Sequence, residues 1–263
     1  MLIAVYILSN NACSSRIKHL KKLFYSSLFE VNIFDSLPPA GLNVNNTNNE
    51  QMIEAYQVHW ILEDASKRYP DNSVIIIKET SVSVSDSQTI ARIIRNANTK
   101  KGWDLCYLCK WLDRCDLYRD MENVHKTTAS IARTFSPFGI QALMFSPHGR
   151  DIVLGKLPMN NGKIININDP LGVVLNKEIN DNNINATTVV PNLFEYDVSL
   201  ARTTGDLAKL SECRIPPDTT KSQGALPFFW FLLIVIIILI LAWAIYEVGP
   251  QDYNVGLEEQ KWK

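Results

Sequence analysis

Apolar positions along this chain fall into three kinds of run, and each kind predicts a different element. Residues 2–8 are an unbroken apolar run closed by the polar turn Ser9-Asn10-Asn11, the pattern of a strand buried on both faces. Ile17, Leu20, Phe24 and Leu28 then recur every three or four residues, with Lys18, Lys21 and Lys22 elsewhere on the wheel, which predicts a helix through Leu28 with a wet lysine face. A strand over 31–35 follows, so the chain opens with a strand, helix, strand crossover. A loop over 37–49, rich in Pro and Asn, leads to a helix over 50–69 stopped by Pro70, with Met52, Ala55, Tyr56, His59 and Leu62 on one face. Residues 74–77 are a third strand ending at Lys78-Glu79-Thr80. Ser85 or Asp86 caps a helix through Asn96, and 103–109 is a fourth strand.

The pattern loosens over 114–128 and then resumes. Residues 141–145 predict a strand, and Ser146-Pro147 supplies a cap and a first-turn proline for a helix to Leu154. The turn Asn160-Asn161-Gly162 precedes a predicted strand over 163–167, and Asp169-Pro170 repeats the cap-and-proline device. A strand over 186–190 ends at Pro191, and 199–210 predicts a helix. The expected fold class is α/β, a mixed sheet flanked by helices.

The third kind of run occurs once. Residues 228–246 contain no charge and no side-chain amide, and as a helix they span the roughly 30 Å hydrocarbon core of a bilayer. Trp230, Trp243 and Tyr246 sit near its ends, where amphipathic rings favour the membrane interface. The expected organisation is an α/β domain over 1–212, a Pro/Thr/Ser tether over 213–227, a transmembrane helix over 228–246 and a short acidic tail over 247–263.

Composition narrows the partners. The 263 residues carry 26 basic against 27 acidic side chains, so no bulk field draws in phosphate backbones, and nucleic acid is not expected as a partner. The lipid bilayer is. Five scattered cysteines, Cys13, Cys106, Cys109, Cys115 and Cys213, fit reduced thiols in a cytosolic setting rather than a disulfide framework. With no basic n-region at its start, the chain resembles tail-anchored single-pass proteins, whose N-terminal domain stays cytoplasmic.

Candidate chemistry is sparse. Cys106-x2-Cys109-x5-Cys115 with His125 downstream has the ingredients of a zinc site, but Cys106 and Cys109 read as strand, where positions three apart point to opposite faces. No metal is expected there. Gly149 and Gly155-Lys156 lack the spacing of a phosphate loop. His59 reads as a core histidine on an apolar stripe, with a ligand or catalytic role as the alternative. Trp111, Phe135, Phe138 and Phe145, without a basic cluster, read as core.

Several segments, in their order and spacing, resemble glycosyltransferase family 25, the lipopolysaccharide-type transferases of GT-A fold. They are VYILSNNACSSRIKHLKKLF, AYQVHWILEDASKRYPDNSVIIIKE, the strand Trp103-Asp104-Leu105-Cys106-Tyr107-Leu108, GIQALMFSPHGRDIVL and Pro191-Asn192-Leu193-Phe194. The resemblance covers about residues 2–197. It implies a GT-A-like, Rossmann-like mixed sheet, Glu79 and His59 as catalytic groups, and Asn10, Arg16, Lys78 and Asp104 around a nucleotide-sugar. An active member would use a UDP-sugar with Mn²⁺. The departures fall on the chemistry. Where the family carries an acidic Glu-Asp-Asp-type motif, this chain reads Lys78-Glu79-Thr80, one carboxylate beside a lysine, and Mn²⁺ or Mg²⁺ wants two or more hard oxygen ligands. Val58 replaces the Ser expected before His59, and Glu195 or a neighbour replaces the closing Gln. Two expectations follow: a catalytically degenerate domain serving as a membrane-anchored structural or interaction module without a cofactor, or an active sugar transferase at a membrane. Relatives of this kind are common in large DNA viruses. A virion source would put the domain between an internal membrane and an overlying protein shell, with shell or other membrane-associated proteins as partners.

Overall fold

The structure, a computed structural model, describes residues 2–9, 14–35, 47–113 and 130–197. Asn10, most of the loop over 37–49, Cys115, His125, the helix over 199–210, the tether, the span over 228–246 with Trp230, Trp243 and Tyr246, and the tail lie outside the described residues. Among the described residues no helix is long and apolar enough to cross a membrane.

The elements are β1 (Ile3–Ser9), α1 (Ser15–Leu23), β2 (Phe29–Asp35), α2 (Thr47–Arg68), β3 (Val74–Lys78), β4 (Ser81–Ser83), α3 (Ser87–Thr99) and β5 (Leu105–Cys109). After them come β6 (Ser130–Arg133), β7 (Ala142–Phe145), α4 (Pro147–Val153), α5 (Leu171–Asn180), β8 (Ala186–Val190) and β9 (Phe194–Tyr196). Seven strands form a mixed sheet in the order β2-β1-β3-β7-β5-β8-β6, and β4 pairs with β9 in a separate two-stranded sheet. β1 runs parallel to β2 and β3, and β5 parallel to β8. β7 lies antiparallel between β3 and β5, and β6 antiparallel at the far edge.

Alternation along the strands builds two core layers. Ala4, Tyr6 and Leu8 of β1 face a layer closed by Val58, Leu62 and Ala65 of α2, Ile152 of α4 and Leu175 of α5. Ile3, Val5 and Ile7 face the opposite layer, closed by Ile17 and Leu20 of α1 and by Ile90, Ile93 and Ile94 of α3. Each such Ile or Leu, fully out of water, contributes about 1.5–3 kcal/mol. The result is a helix, sheet, helix sandwich.

Several expectations need correction. α1 stops at Leu23 rather than Leu28, because Ser26 donates its backbone N–H to Phe24 O and accepts Leu28 N–H on its hydroxyl, a local alternative to helix. On α2 the buried stripe is Ile53, Ala55, Val58, Ile61, Leu62 and Ala65, while Tyr56 is 50% exposed and His59 half-exposed. Turning the stripe onto Val58 and Ile61 leaves the phenol and imidazole in water, where they cost nothing to solvate. Residues 163–167 form no ladder. Asp169 caps nothing: Pro170 is the N-cap of α5, with no side-chain cap bond. Finally, Cys106 and Cys109 both enter the layer under α1 and α3, because a bulge between Tyr107 and Cys109 inserts Leu108 and resets the alternation.

Candidate functional site

β1 is flanked by its sequence neighbour β2 on one side and by β3 on the other, so crossovers leave its two sides in opposite directions. Ligands in open α/β sheets bind in the crevice beyond the carboxyl ends of strands at such a switch point. Here those ends are Ser9 and Glu79. Lys78 is the partner of Leu8 in the ladder, and Glu79 N donates to Leu8 O at 2.9 Å.

Consecutive residues at the end of β3 serve opposite faces. Lys78 pairs with Glu54 of α2, both side chains largely buried. Glu79 turns toward α1, where its Oε2 accepts the Ser9 hydroxyl at 2.7 Å and, more weakly, the Ser14 hydroxyl at 3.5 Å. Ser14 is the N-cap of α1 and also accepts Ile17 N–H at 3.2 Å. One carboxylate thus joins β1, β3 and the start of α1. Arg16, exposed on the first turn of α1, donates to Asp197 Oδ2 at 2.9 Å, and Asp197 N donates to Thr80 O just beyond β3. Thr80 and Ser81 are in turn bonded to the Oε1 and main-chain carbonyl of Gln141.

The remaining expected site residues go elsewhere. His59 lies five residues beyond Glu54, about 7.5 Å further along α2 and about 140° around it. Its Nε2 is 3.8 Å from Glu63, not at the crevice. Asp104 precedes β5, and because β5 is parallel to β3 this puts it at the amino edge of the sheet, about 17 Å of strand away from the carboxyl edge. The expectation of Asp104 and His59 beside Glu79 is therefore not met.

Sequence reasoning missed a second polar cluster on the carboxyl edge. Lys110, 1% exposed after β5, exchanges two hydrogen bonds with Asn192: its N–H donates to Asn192 Oδ1 and its carbonyl accepts from Nδ2 at 2.8 Å. Asp113, fully buried, accepts the Thr134 hydroxyl and the N–H groups of Phe135 and Ser136. Burial, and secondarily the charge of Asp113, push the Tyr107 phenol up. The signal was a carboxylate following an apolar strand; its partners, twenty residues on, have no periodicity. Trp111 packs edge-on against Tyr196, ring centres 6.2 Å apart, and its ring faces Gly139 so closely that an added Cβ would sit 3.1 Å away.

A divalent cation does not fit this donor set. Among the described residues no three His, Cys, Asp or Glu side chains converge. Glu79 accepts hydroxyls on one oxygen, and Asp197 is engaged by Arg16. Hard cations want several carboxylate or carbonyl oxygens together.

The fold and this edge define an α/β protein with a mixed seven-stranded sheet and a polar switch-point crevice. No family model matches the chain, and no curated protein sequence does. Among the solved structures similar to it are two viral proteins. One is the crystal structure of A197 from STIV, at 10% identity and TM-score 0.37, covering 74% of this chain and 84% of that one. The other is a glycosyltransferase involved in the glycosylation of the major capsid of PBCV-1, at 7% identity and TM-score 0.36, covering 58% of this chain and 64% of that one.

Proposed function

We propose that this chain is a membrane-held, GT-A-like domain that serves as a structural or interaction module, not as a metal-dependent sugar transferase. The observation that carries this reading is the use of Glu79. The single carboxylate standing where transferases of the resembled family place an acidic cluster is bonded inward, to Ser9 and Ser14, where it ties two strands to a helix. Lys78, which could meet a diphosphate, is paired with Glu54. The apolar run over 228–246 supports attachment to a bilayer, with the α/β domain available to membrane-associated or shell proteins beside it.

Calorimetric titration of the full chain in detergent with a UDP-sugar and Mn²⁺ tests the reading. No saturable binding is expected. Saturable binding that Glu79→Ala abolishes overturns it. Attachment is tested separately: the chain should resist high salt and be released only by detergent.

A further inference from the structure

The two outermost strands of the sheet are finished differently. β6 is four residues long, ends on Arg133, and its Ile131 carbonyl accepts a bond from Lys100 Nζ at 3.3 Å. Short length and basic side chains are devices that keep a sheet edge from pairing with another chain. β2, on the opposite side, is seven residues long and reads FEVNIFD, with no proline, no lysine and no bulge in its ladder with β1. Among the described residues no strand pairs with its outer side.

The ladder decides which main-chain groups of β2 face outward. Ile3 N–H donates to Leu28 O, so in the evenly spaced bonds of a parallel pair the even-numbered residues of β2 turn their main chain to β1. Phe29, Val31, Ile33 and Asp35 turn theirs away. Phe29 N–H is taken by Ser26 O at 3.1 Å, which leaves the N–H groups of Val31, Ile33 and Asp35 and the carbonyls of all of these residues without a partner among the described residues. Apolar side chains flank this row on both faces of the sheet. Val31 and Ile33 are half-buried against the layer under α1 and α3, and Phe34 is half-buried against the layer under α2. Beside the start of the strand lies a groove of about 550 Å³ lined by Phe24, Tyr25, Phe29 and Val31 among others, with Tyr25 92% exposed.

We propose that β2 pairs antiparallel with β2 of a second copy of this chain, about a twofold axis at Asn32, so that the sheet continues through both subunits. The strand fits itself in that register. Val31 falls opposite Ile33 of the second copy, both with outward main chain, and the two exchange ladder bonds, while Asp35 N–H donates to Phe29 O. Glu30 falls opposite Phe34, and Asn32 opposite its own copy. The apolar Val31 and Ile33 side chains then meet on the α1 side, beside the groove, and no like charges face each other. Centring the axis on Glu30 instead sets two carboxylates face to face and leaves most of the strand unpaired. A slip of one residue turns outward amides onto inward ones. This self-fit selects a second copy over an unrelated extended peptide. The pairing uses neither Glu79 nor the apolar run over 228–246, and it stands apart from the reading of the carboxyl edge.

The test is oxidative cross-linking of the full chain in detergent, with sedimentation equilibrium alongside. Residues that face each other across an antiparallel pair without exchanging ladder bonds have Cα atoms about 4.5 Å apart, within reach of a disulfide. Asn32→Cys should therefore give a dimer in which mass spectrometry finds position 32 of one copy bonded to position 32 of the other. Glu30→Cys, whose two copies stand about 14 Å apart in this register, should give no such self-link. Val31→Pro removes an outward N–H that the subunit itself does not use, a change an edge strand tolerates, and should weaken association roughly tenfold. Asn32→Lys, which brings two ammonium groups together at the axis, should weaken it to a similar extent, and both variants should keep the parent's far-ultraviolet circular dichroism. A parent chain that stays monomeric at about 100 μM, an oxidised Asn32→Cys chain without the link between the two positions 32, or association unaltered in both Val31→Pro and Asn32→Lys overturns the proposal.

Discussion

Ser9 and Glu79, seventy residues apart in sequence, meet through a 2.7 Å hydrogen bond across the carboxyl ends of two neighbouring parallel strands. Where a transferase would need a carboxylate facing out to a cation, this one accepts a bond that closes the end of the sheet. Glu79→Ala removes the acceptor of Ser9 and Ser14 and should cost about 2 kcal/mol in denaturant unfolding. Glu79→Gln, which keeps an acceptor oxygen, should cost less than half of that. A Glu79→Ala chain as stable as the parent would show that the bond contributes nothing.

Gly149 answers to the other edge. A methyl group there would overlap the main-chain carbonyl of Asp104, which neither side can yield without moving β5 or α4. Gly149→Ala should destabilise by roughly 3 kcal/mol and shift the ring resonances of His148, whose Nδ1 lies 2.7 Å from Asp104 Oδ1, as that contact opens. Unchanged stability with unchanged resonances would contradict the close approach.

Alkaline pH should weaken the fold. Burial pushes the Cys106 thiol up to about 11 and raises Tyr6 and Tyr107, with the Asp64 bond adding to the effect on Tyr6. The unfolded chain loses those protons first, near pH 8.5 for cysteine and about 10 for tyrosine, so above pH ~9 it binds fewer protons than the native state and stability falls. Cys106→Ala should lose less stability than the parent between pH 7 and pH 10 in paired denaturation curves. In the native chain Cys106 should also resist alkylation at pH 8, as read by site-resolved mass spectrometry.

The acid limb has a different source. Asp86, the N-cap of α3, is held below the usual carboxylate range, chiefly by the backbone N–H and hydroxyl of Thr89 and then by Gln88 N–H. Its contribution is present above about pH 3.9 and is lost as pH falls through the lower folded value. Asp86→Ala should lower the melting temperature at pH 7 and flatten its decline toward pH 3. A parallel offset at every pH would assign the loss to helix propensity instead.

The regular half of the fold was legible because its signals are local. The run at β1, the stop at Pro70, the Asp86 cap and the Ser146-Pro147 start each depend on residues adjacent in sequence, and each element formed within a few residues of expectation. β4, β6 and β9 were not legible, since strands of three or four residues are defined by their partners: Ser81 by Tyr196, Ser130 by Val190. The bulge at Leu108 reversed a face assignment that strict alternation had fixed. For the site, the place of Glu79 just after the third strand was legible, but the switch point and the hydroxyl partners were not, since both depend on strand order. Ser9 read only as part of a turn and Ser14 carried no signal, and the parallel pairing of β1 with β3 is what brings them to one carboxylate. Asp104 was placed at the site by the resemblance alone; preceding a strand that runs parallel to β3, it lies at the amino edge.

The antiparallel β7 has a consequence for synthesis. It occupies the middle of the sheet, yet it is contributed by residues 142–145, which are synthesised after both of its neighbours, β3 and β5. Until then those two strands lack the neighbour they share, and the two parts of the sheet cannot be joined. A nascent chain released before Ala142 lacks the keystone rather than a border strand, so the joining of the two parts of the sheet is gated by the arrival of four residues.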